Sequence, residues 1–349
     1  MNTNLRLIVP EDLFEIGSIA DGRLSPDGRY AAYTLRRTDK TTDVDRIRVM
    51  LFDTVTGDVK QVSPDNHNCS SLAWSANGQC LFYTSSRENG SQIYSVDIAT
   101  LSEHLITDVK QGIIGSAVIS PDGNYLAFAS PRDVPPIDTT KPYRLTRAIF
   151  RDNAIGYIGE NTLDVCVLNL ETKQIVKLTD DRFDNSPISW TPDSKRILFN
   201  RSGNPDDNLS RPSLHIIDLE GNMETVLSES DWKYIIATNW LPDGKKLAFI
   251  AYPAHSPLGT QRKLWVLDIE SRKCECRTTD TDIDFGWGIQ TDIPIALMGR
   301  IGVSSDGQFA FTQVGVGTAI EIYRVKLEGD VECIPVLSGE CSYILADMK

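Results

Sequence analysis

Nucleophiles and metal ligands occur in this chain, but their spacing does not assemble a recognisable site. The four histidines show no H-x-H or H-x-x-x-H spacing that would bring two imidazoles to one zinc ion. They are His67, His104, His215 and His255. His215 lies in the apolar run SLHIIDL, so we interpret it as a hydrogen-bonded strand residue. No G-x-S-x-G sequence is present to expose a serine nucleophile on a sharp turn.

A second possible chemistry is calcium binding. Asp280, Asp282 and Asp284 have the alternate spacing with which a calcium loop begins. Such a loop needs glycine at its sixth position and glutamate at its twelfth, whereas this chain has Phe285 and Thr291 there. We therefore interpret the segment as a solvated loop. The sequence assigns no catalytic residue, metal ligand or cofactor-binding residue, and we expect no enzymatic activity from this chain alone.

One basic cluster stands out in an acidic protein. The formal net charge is −13, which disfavours binding to nucleic acid because phosphates would be repelled. Against this background, Arg144, Arg147 and Arg151 fall within a few residues of one another. We interpret them as candidate contacts for an acidic partner or a peptide carboxylate. Ordinary internal salt bridges are the alternative.

Cysteine usage and hydropathy bear on the compartment. The seven cysteines are scattered and odd in number, which is typical of reduced thiols and not of a disulfide framework. The N-terminus lacks the long apolar stretch of a signal peptide, and about 18 consecutive apolar residues occur nowhere. We expect a cytoplasmic protein with no membrane contact.

The elements that would position any site are set by a repeated turn. The stretch RLSPDGRY places proline, aspartate and glycine between two strand-like runs, a combination that favours a tight turn. Related sequences recur, and each is followed by a second hairpin that ends in threonine or serine, as Leu-Thr or Leu-Ser in three of the six. The turns are centred at Asp27, Asn77, Asp122, Asp193, Asp243 and Asp306, giving steps of 50, 45, 71, 50 and 63 residues.

A four-stranded unit at roughly 40–50-residue spacing is typical of a propeller blade. The sequence therefore predicts an all-β propeller of four-stranded antiparallel blades, with six full repeats. It also predicts that Trp74, Trp190 and Trp240, each just before a turn, pack between blades.

We expect one domain over residues 1–349. Residues 1–20 form its N-terminal helix and lead-in, and residues 130–160 form an inserted loop region. Residues 339–349, GECSYILADMK, resemble the opening strand of another repeat and are expected to begin a probable seventh blade.

Two segments carry a family resemblance. GRLSPDGRYAAY, preceded by VPEDLFEIGSIAD, resembles the N-terminal region of the prolyl oligopeptidase family of serine peptidases, in particular its acylaminoacyl-peptidase-like branch. Residues 143–199 are similar to the middle blades of that branch, with a Gly-Tyr segment, a strand pair, a Leu-Thr end and a W-x-P-D turn. Turns of the S-P-D-G type are shared with TolB-like propellers.

The resemblance implies a role for this propeller but assigns it no catalytic residue. In that family a propeller caps an α/β-hydrolase domain, which supplies a Ser-Asp-His triad, and restricts entry to small or unstructured peptides. This sequence ends where the hydrolase would follow, so no position inherits the triad. The paired glutamates of the dipeptidyl-peptidase branch have no match either.

Three functions remain open at this point. The first is a non-catalytic propeller that gates peptide substrates into a C-terminal α/β-hydrolase domain. The second is a stand-alone TolB-like or WD-like scaffold that binds a protein or peptide, for which residues 339–349 would have to complete the ring. The third is a propeller hydrolase or lyase with an axial metal or carboxylate site. An unpaired blade edge would also favour oligomerisation.

Overall fold

The structure is a computed structural model. It describes residues 6–7, 9–135, 137–138, 140–148, 150–152, 156–157, 160–202, 212–257, 259–286, 299–339 and 341–348. Among these residues, no helix combines the length and the apolar character needed to cross a bilayer.

Twenty-four strands form six four-stranded antiparallel blades, as the repeats predict. Blade 1 contains β1 (Ser18–Leu24), β2 (Tyr30–Asp39), β3 (Val44–Asp53) and β4 (Val59–Gln61). Blade 2 contains β5 (Asn68–Trp74), β6 (Cys80–Arg87), β7 (Gly90–Asp97) and β8 (Glu103–Leu105). Blade 3 contains β9 (Ile114–Ile119), β10 (Tyr125–Pro131), β13 (Leu163–Asn169) and β14 (Ile175–Lys177).

The remaining blades follow the same order. Blade 4 contains β15 (Asp184–Trp190), β16 (Arg196–Ser202), β17 (Ser213–Asp218) and β18 (Met223–Leu227). Blade 5 contains β19 (Trp232–Trp240), β20 (Lys246–Pro253), β21 (Lys263–Asp268) and β22 (Cys274–Cys276). Blade 6 contains β23 (Ile301–Val303), β24 (Phe309–Val316), β25 (Ala319–Lys326) and β26 (Cys333–Leu337).

Two short elements lie outside the blades. A 3₁₀ helix, Pro10–Phe14, precedes blade 1, and the carboxylate of Asp12 accepts a hydrogen bond from the Val9 N–H at its start. Between β10 and β13, the inserted residues include a small hairpin of β11 (Arg151–Asp152) and β12 (Gly156–Tyr157).

The repeated turn joins the first two strands of a blade and also contacts the next blade. In blade 1 the Ser25 hydroxyl accepts a hydrogen bond from the Tyr30 N–H at 2.8 Å, and Gly28 has a φ of 72°, which glycine adopts without strain. In blades 2, 5 and 6 the turn glycine lies against the turn proline of the blade before it. A Cβ added at Gly78 would lie 3.4 Å from Pro26, and one at Gly307 would lie 3.2 Å from Pro242. The repeated turn therefore contributes to the contact between neighbouring blades.

The threonine or serine that follows the fourth strand has a structural role in blades 1, 2, 3 and 5. After the short fourth strand of blade 2, the hydroxyl of Thr107 accepts a hydrogen bond from the Ile93 N–H of β7 at 2.9 Å. The same bond joins Thr179 to Val165 at 2.9 Å. Ser63 and Thr278 bond Val49 and Leu264 in the same way. The hydroxyl satisfies a buried backbone donor at the point where the sheet ladder ends.

The core lies between the blades. Five buried hydrophobic clusters each span one pair of successive blades, from blades 1 and 2 to blades 5 and 6. The three tryptophans lie in these clusters, which confirms their predicted inter-blade packing. The indole N–H of Trp74 donates to the Arg23 carbonyl oxygen of blade 1 at 3.1 Å, and that of Trp190 donates to the Val118 carbonyl oxygen of blade 3 at 3.0 Å.

Candidate functional site

The blades of a propeller surround a central channel, and the first strand of each blade is the one nearest to its axis. The first strands of blades 1 to 4 contact one another in succession, as do those of blades 5 and 6. Each is the edge strand of its sheet, so its axial edge carries backbone groups outside the ladder. A cavity of about 340 Å³ opens among the first strands of blades 1, 4, 5 and 6 and residues 345–348. This axial cavity is the candidate site, because it combines free backbone edges with polar side chains.

Irregularities in these strands make the axial edge more accessible. Register breaks interrupt the pairing of the first strand in each of blades 1 to 5. Within them, Ser71 and Tyr234 have φ values of 59° and 51°. A bulge leaves backbone N–H and C=O groups outside the ladder and re-aims side chains, which is common beside binding sites.

Asp21 is the centre of the polar network at the junction of the ring. Its Oδ1 lies 2.6 Å from Nη2 of Arg300, which immediately precedes β23, and 2.7 Å from Nη1 of Arg23. Its Oδ2 accepts a hydrogen bond from the Leu72 N–H of blade 2 at 3.1 Å. The side chain is only 14% exposed. One carboxylate therefore connects blades 1, 2 and 6, although no blade contains strands from both ends of the chain.

The residues after blade 6 approach the same junction. Over its described part, 341–348, the segment predicted to begin a further blade forms no assigned strand. The Tyr343 N–H donates to the Ile320 carbonyl oxygen of blade 6 at 2.8 Å. Further on, the Asp347 carboxylate accepts a hydrogen bond from the Leu24 N–H of blade 1 at 3.0 Å. The segment thus begins beside the third strand of blade 6, and its residues 345–348 lie beside the first strands of blades 1 and 6.

The three candidate arginines have different environments. Arg147 has a side chain only 7% exposed, and its Nη2 lies 3.9 Å from Oδ2 of Asp184. This is the internal pairing that the sequence left as the alternative. Arg144 and Arg151 are exposed, and the Arg151 guanidinium lies 5.5 Å from the ring centre of Tyr157. None of the three lines the axial cavity.

Two buried titratable groups lie away from the axis. His215 is 8% exposed, stacks on Phe199 and has its Nε2 2.9 Å from the Ser213 hydroxyl. Burial lowers the pKa of this imidazole to about 4, so it is neutral at pH 7. Burial raises the pKa of the Asp164 carboxyl. His215 and Asp164 each contact partner side chains within their own blade or the loop beside it, so a structural role explains their burial.

In the possible calcium loop, two of the three aspartate side chains are already paired with other side chains of the protein. Asp284 pairs with Arg262, and Asp282 accepts a hydrogen bond from the Gln261 amide at 2.7 Å. Thr291 lies outside the described residues. Within the part of the chain that the structure describes, no three His, Cys, Asp or Glu side chains converge as a metal site would require.

Sequence comparison relates the chain to peptidases. It is 22% identical over 217 residues to an uncharacterised peptidase, YuxL, from Bacillus subtilis, covering 59% of this chain and 33% of that protein. It is 21% identical over 295 residues to dipeptidyl-peptidase 5 from Porphyromonas gingivalis, covering 76% of this chain and 42% of that protein. The chain thus spans less than half the length of these relatives. No protein-family profile matches it.

Structural comparison finds the same architecture in peptidases and elsewhere. Acylaminoacyl peptidase from Pyrococcus horikoshii superposes with a TM-score of 0.70 at 16% identity, over 93% of this chain and 47% of that one. The propeller domain of the Trilobed protease from Pyrococcus furiosus, which has an open velcro topology, gives 0.62 at 16% identity, over 93% and 86%. TolB from Acinetobacter baumannii gives 0.54 at 20% identity, over 90% and 65%. The chain is a six-bladed propeller that resembles the propeller of acylaminoacyl peptidase, and its sequence links it to peptidases.

Proposed function

We propose that this chain is the non-catalytic propeller of a serine peptidase and limits which peptides reach an α/β-hydrolase domain. The observation that carries the proposal is the ring itself. The edge strands of four of the six blades line an axial cavity, in a fold that matches the acylaminoacyl peptidase propeller over 93% of the chain. The two peptidase relatives, of which this chain covers only a part, support the same assignment.

The mechanism is steric and needs no catalytic group in the propeller. An extended peptide can enter a narrow opening lined by strand edges, whereas a folded domain cannot. Free N–H and C=O groups on the axial edges can hydrogen-bond an extended backbone in the manner of strand addition. The ring is closed between blades 6 and 1 by Asp21 and Arg300, so this junction sets how far the opening can widen.

A size-exclusion assay tests this function. The protein encoded by the full reading frame is assayed on acylated peptides of increasing length and on a folded protein. We expect hydrolysis to fall with length, and we expect the D21A/R300A variant to accept longer substrates. R29A, which removes the surface pair of Arg29 with Asp53, is the matched control. The proposal would be contradicted if the unaltered enzyme cleaved the folded protein. It would also be contradicted if hydrolysis depended on peptide length in the same way for the unaltered enzyme and both variants.

The runner-up is a TolB-like scaffold that binds a protein or peptide. It is favoured by the contacts of Arg300 with Asp21 and of Asp347 with Leu24, which join the first and last blades within this chain. The likeness to TolB supports it as well. In this case the complete protein would bind its partner and hydrolyse no peptide of any length.

In either role, Arg144 and Arg151 are proposed contacts for an acidic segment of a partner. Their exposure on the insertion of an acidic protein supports this. The R144E/R151E variant should weaken the association, whereas R147E should mainly destabilise the fold because Arg147 pairs internally with Asp184. A cytoplasmic location is also proposed, and the seven free cysteines support it.

A further inference from the structure

The wall between the first and the last blade is shaped to receive an extended chain. Two glycines of this wall face residues 346–348. A Cβ added at Gly22 of β1 would lie 3.0 Å from the Ala346 Cβ, and one at Gly302 of β23 would lie 3.1 Å from the Met348 Cβ. Side chains at either position would crowd the segment, so these glycines permit a close backbone approach.

Polar contacts fix the position of the segment at both ends. At one end, the Ile320 N–H donates to the Ser342 hydroxyl at 3.1 Å, and the Tyr343 N–H donates to the Ile320 carbonyl oxygen at 2.8 Å. At the other end, the Asp347 carboxylate accepts from the free-edge N–H of Leu24 at 3.0 Å. A carboxylate accepting a backbone N–H is a charge-assisted contact, and it selects an acidic residue at this point.

The segment is held by few bonds and remains partly exposed. Residues 345–348 are half-buried, and residues 341–348 form no assigned strand. A segment with these properties can exchange with another chain of the same chemistry, because only a few contacts need to be replaced. The wall therefore has the features of a peptide site that is occupied by the protein's own residues.

We propose that the wall formed by β1 and β23, here called the junction groove, binds extended peptides with a small residue followed by an acidic one. Residues 345–348 occupy the groove in cis, and residues 342–343 are held beside it by Ile320 of β25. This deepens the proposed gating function by naming a peptide class for the axial cavity. Its test uses binding alone and no hydrolase, so it can fail while the gating function stands, and the reverse is also possible.

The exposed thiol of Cys341 gives a direct readout of exchange. Burial raises the pKa of five other cysteine thiols, at Cys69, Cys80, Cys166, Cys274 and Cys333, which slows their labelling at neutral pH. A dye on Cys341 should show high fluorescence anisotropy while the segment is bound in the groove. C341S identifies any labelling at Cys276 or elsewhere.

The experiment titrates the labelled chain with an acetylated and amidated peptide, SYILADM, which copies residues 342–348. We expect the anisotropy to fall as the peptide displaces the segment. A peptide with leucine in place of alanine should bind about tenfold more weakly or worse, because the larger side chain prevents the close approach to Gly22. A peptide with lysine in place of aspartate should lose as much affinity, because it cannot accept the hydrogen bond from the Leu24 N–H. No change at millimolar peptide, or equal effects of all three peptides, would overturn the proposal.

Two variants complete the test. A346L should release the segment but leave the groove intact, so a fluorescent SYILADM peptide should bind this variant more tightly than the unaltered chain. G302V should obstruct the groove, so the segment should be mobile without peptide and the peptide should not bind. If G302V fails to fold by circular dichroism, A346L alone decides: equal peptide affinity for A346L and the unaltered chain would overturn the proposal.

Discussion

Arg300 Nη2 lies 2.6 Å from Asp21 Oδ1, and this pair joins the last blade of the ring to the first across 279 residues of sequence. The other neighbouring blades share buried hydrophobic clusters, whose contribution grows with the apolar area removed from water. Between blades 6 and 1, the contact includes a partly buried polar network around Asp21. It also includes the Leu72 N–H of blade 2, so Asp21 serves three blades.

This arrangement predicts unequal costs for the two partners. D21A should lower the free energy of unfolding by about 2–3 kcal/mol, because it leaves a backbone donor and charged groups without their acceptor. R300A should cost about 1 kcal/mol or less, since its side chain is 39% exposed and water can replace the contact. Urea unfolding of both variants measures this, and equal costs would show that Asp21 acts only through Arg300.

The hydroxyl that ends the fourth strand predicts a second stability effect. Thr107 is buried, and its hydroxyl accepts the Ile93 N–H and donates to the Gln92 side chain at 2.9 Å. T107V keeps the shape but leaves these groups unpaired, so it should cost about 1–3 kcal/mol. T107S keeps the hydroxyl and should remain closer to the unaltered protein in the same unfolding experiment. If T107V is as stable as the unaltered protein, or T107S loses more stability than T107V, the hydroxyl does not make this contribution.

Two tryptophans in equivalent positions should respond differently to phenylalanine. Trp74 donates its indole N–H to Arg23, whereas the buried indole N–H of Trp240 has no hydrogen-bond partner among the described residues. Both substitutions remove similar volume, so the difference reports the hydrogen bond. We expect W74F to cost about 1 kcal/mol more than W240F. Chemical denaturation of the two variants provides the comparison, and a larger loss in W240F would contradict it.

His215 predicts a pH dependence of stability. Its pKa is lowered to about 4 in the fold, against a usual value near 6.5, so the unfolded state binds more protons between these values. Stability should therefore rise as pH increases from about 4 to 6.5, by at most about 1.4 kcal/mol per pH unit from this group. H215Q should flatten that slope, whereas H104Q, at an exposed position, should not. Unfolding midpoints across this pH range give the answer, and an unchanged slope in H215Q would refute the assignment.

Local chemistry explains which features the sequence could predict. The turn residues around Asp27 and Asp243, and the tryptophans before the turns, act within a repeat, so their spacing reveals the blades. The pairing of Asp21 with Arg300 has no periodic signal, because it depends on how the ring closes. The threonine or serine after each second hairpin is visible as a pattern, but the hydrogen bond of Thr107 to the third strand requires the register of the sheet. Arg147 and Arg151 look alike in sequence and differ only through the burial of one of them.

The most direct test of the central claim is the reading frame of the source DNA beyond the codon for Lys349. If the chain is the propeller of a serine peptidase, the frame continues and encodes an α/β-hydrolase domain with a G-x-S-x-G nucleophile turn. A stop codon directly after Lys349 would contradict this account and leave the binding scaffold as the function to test.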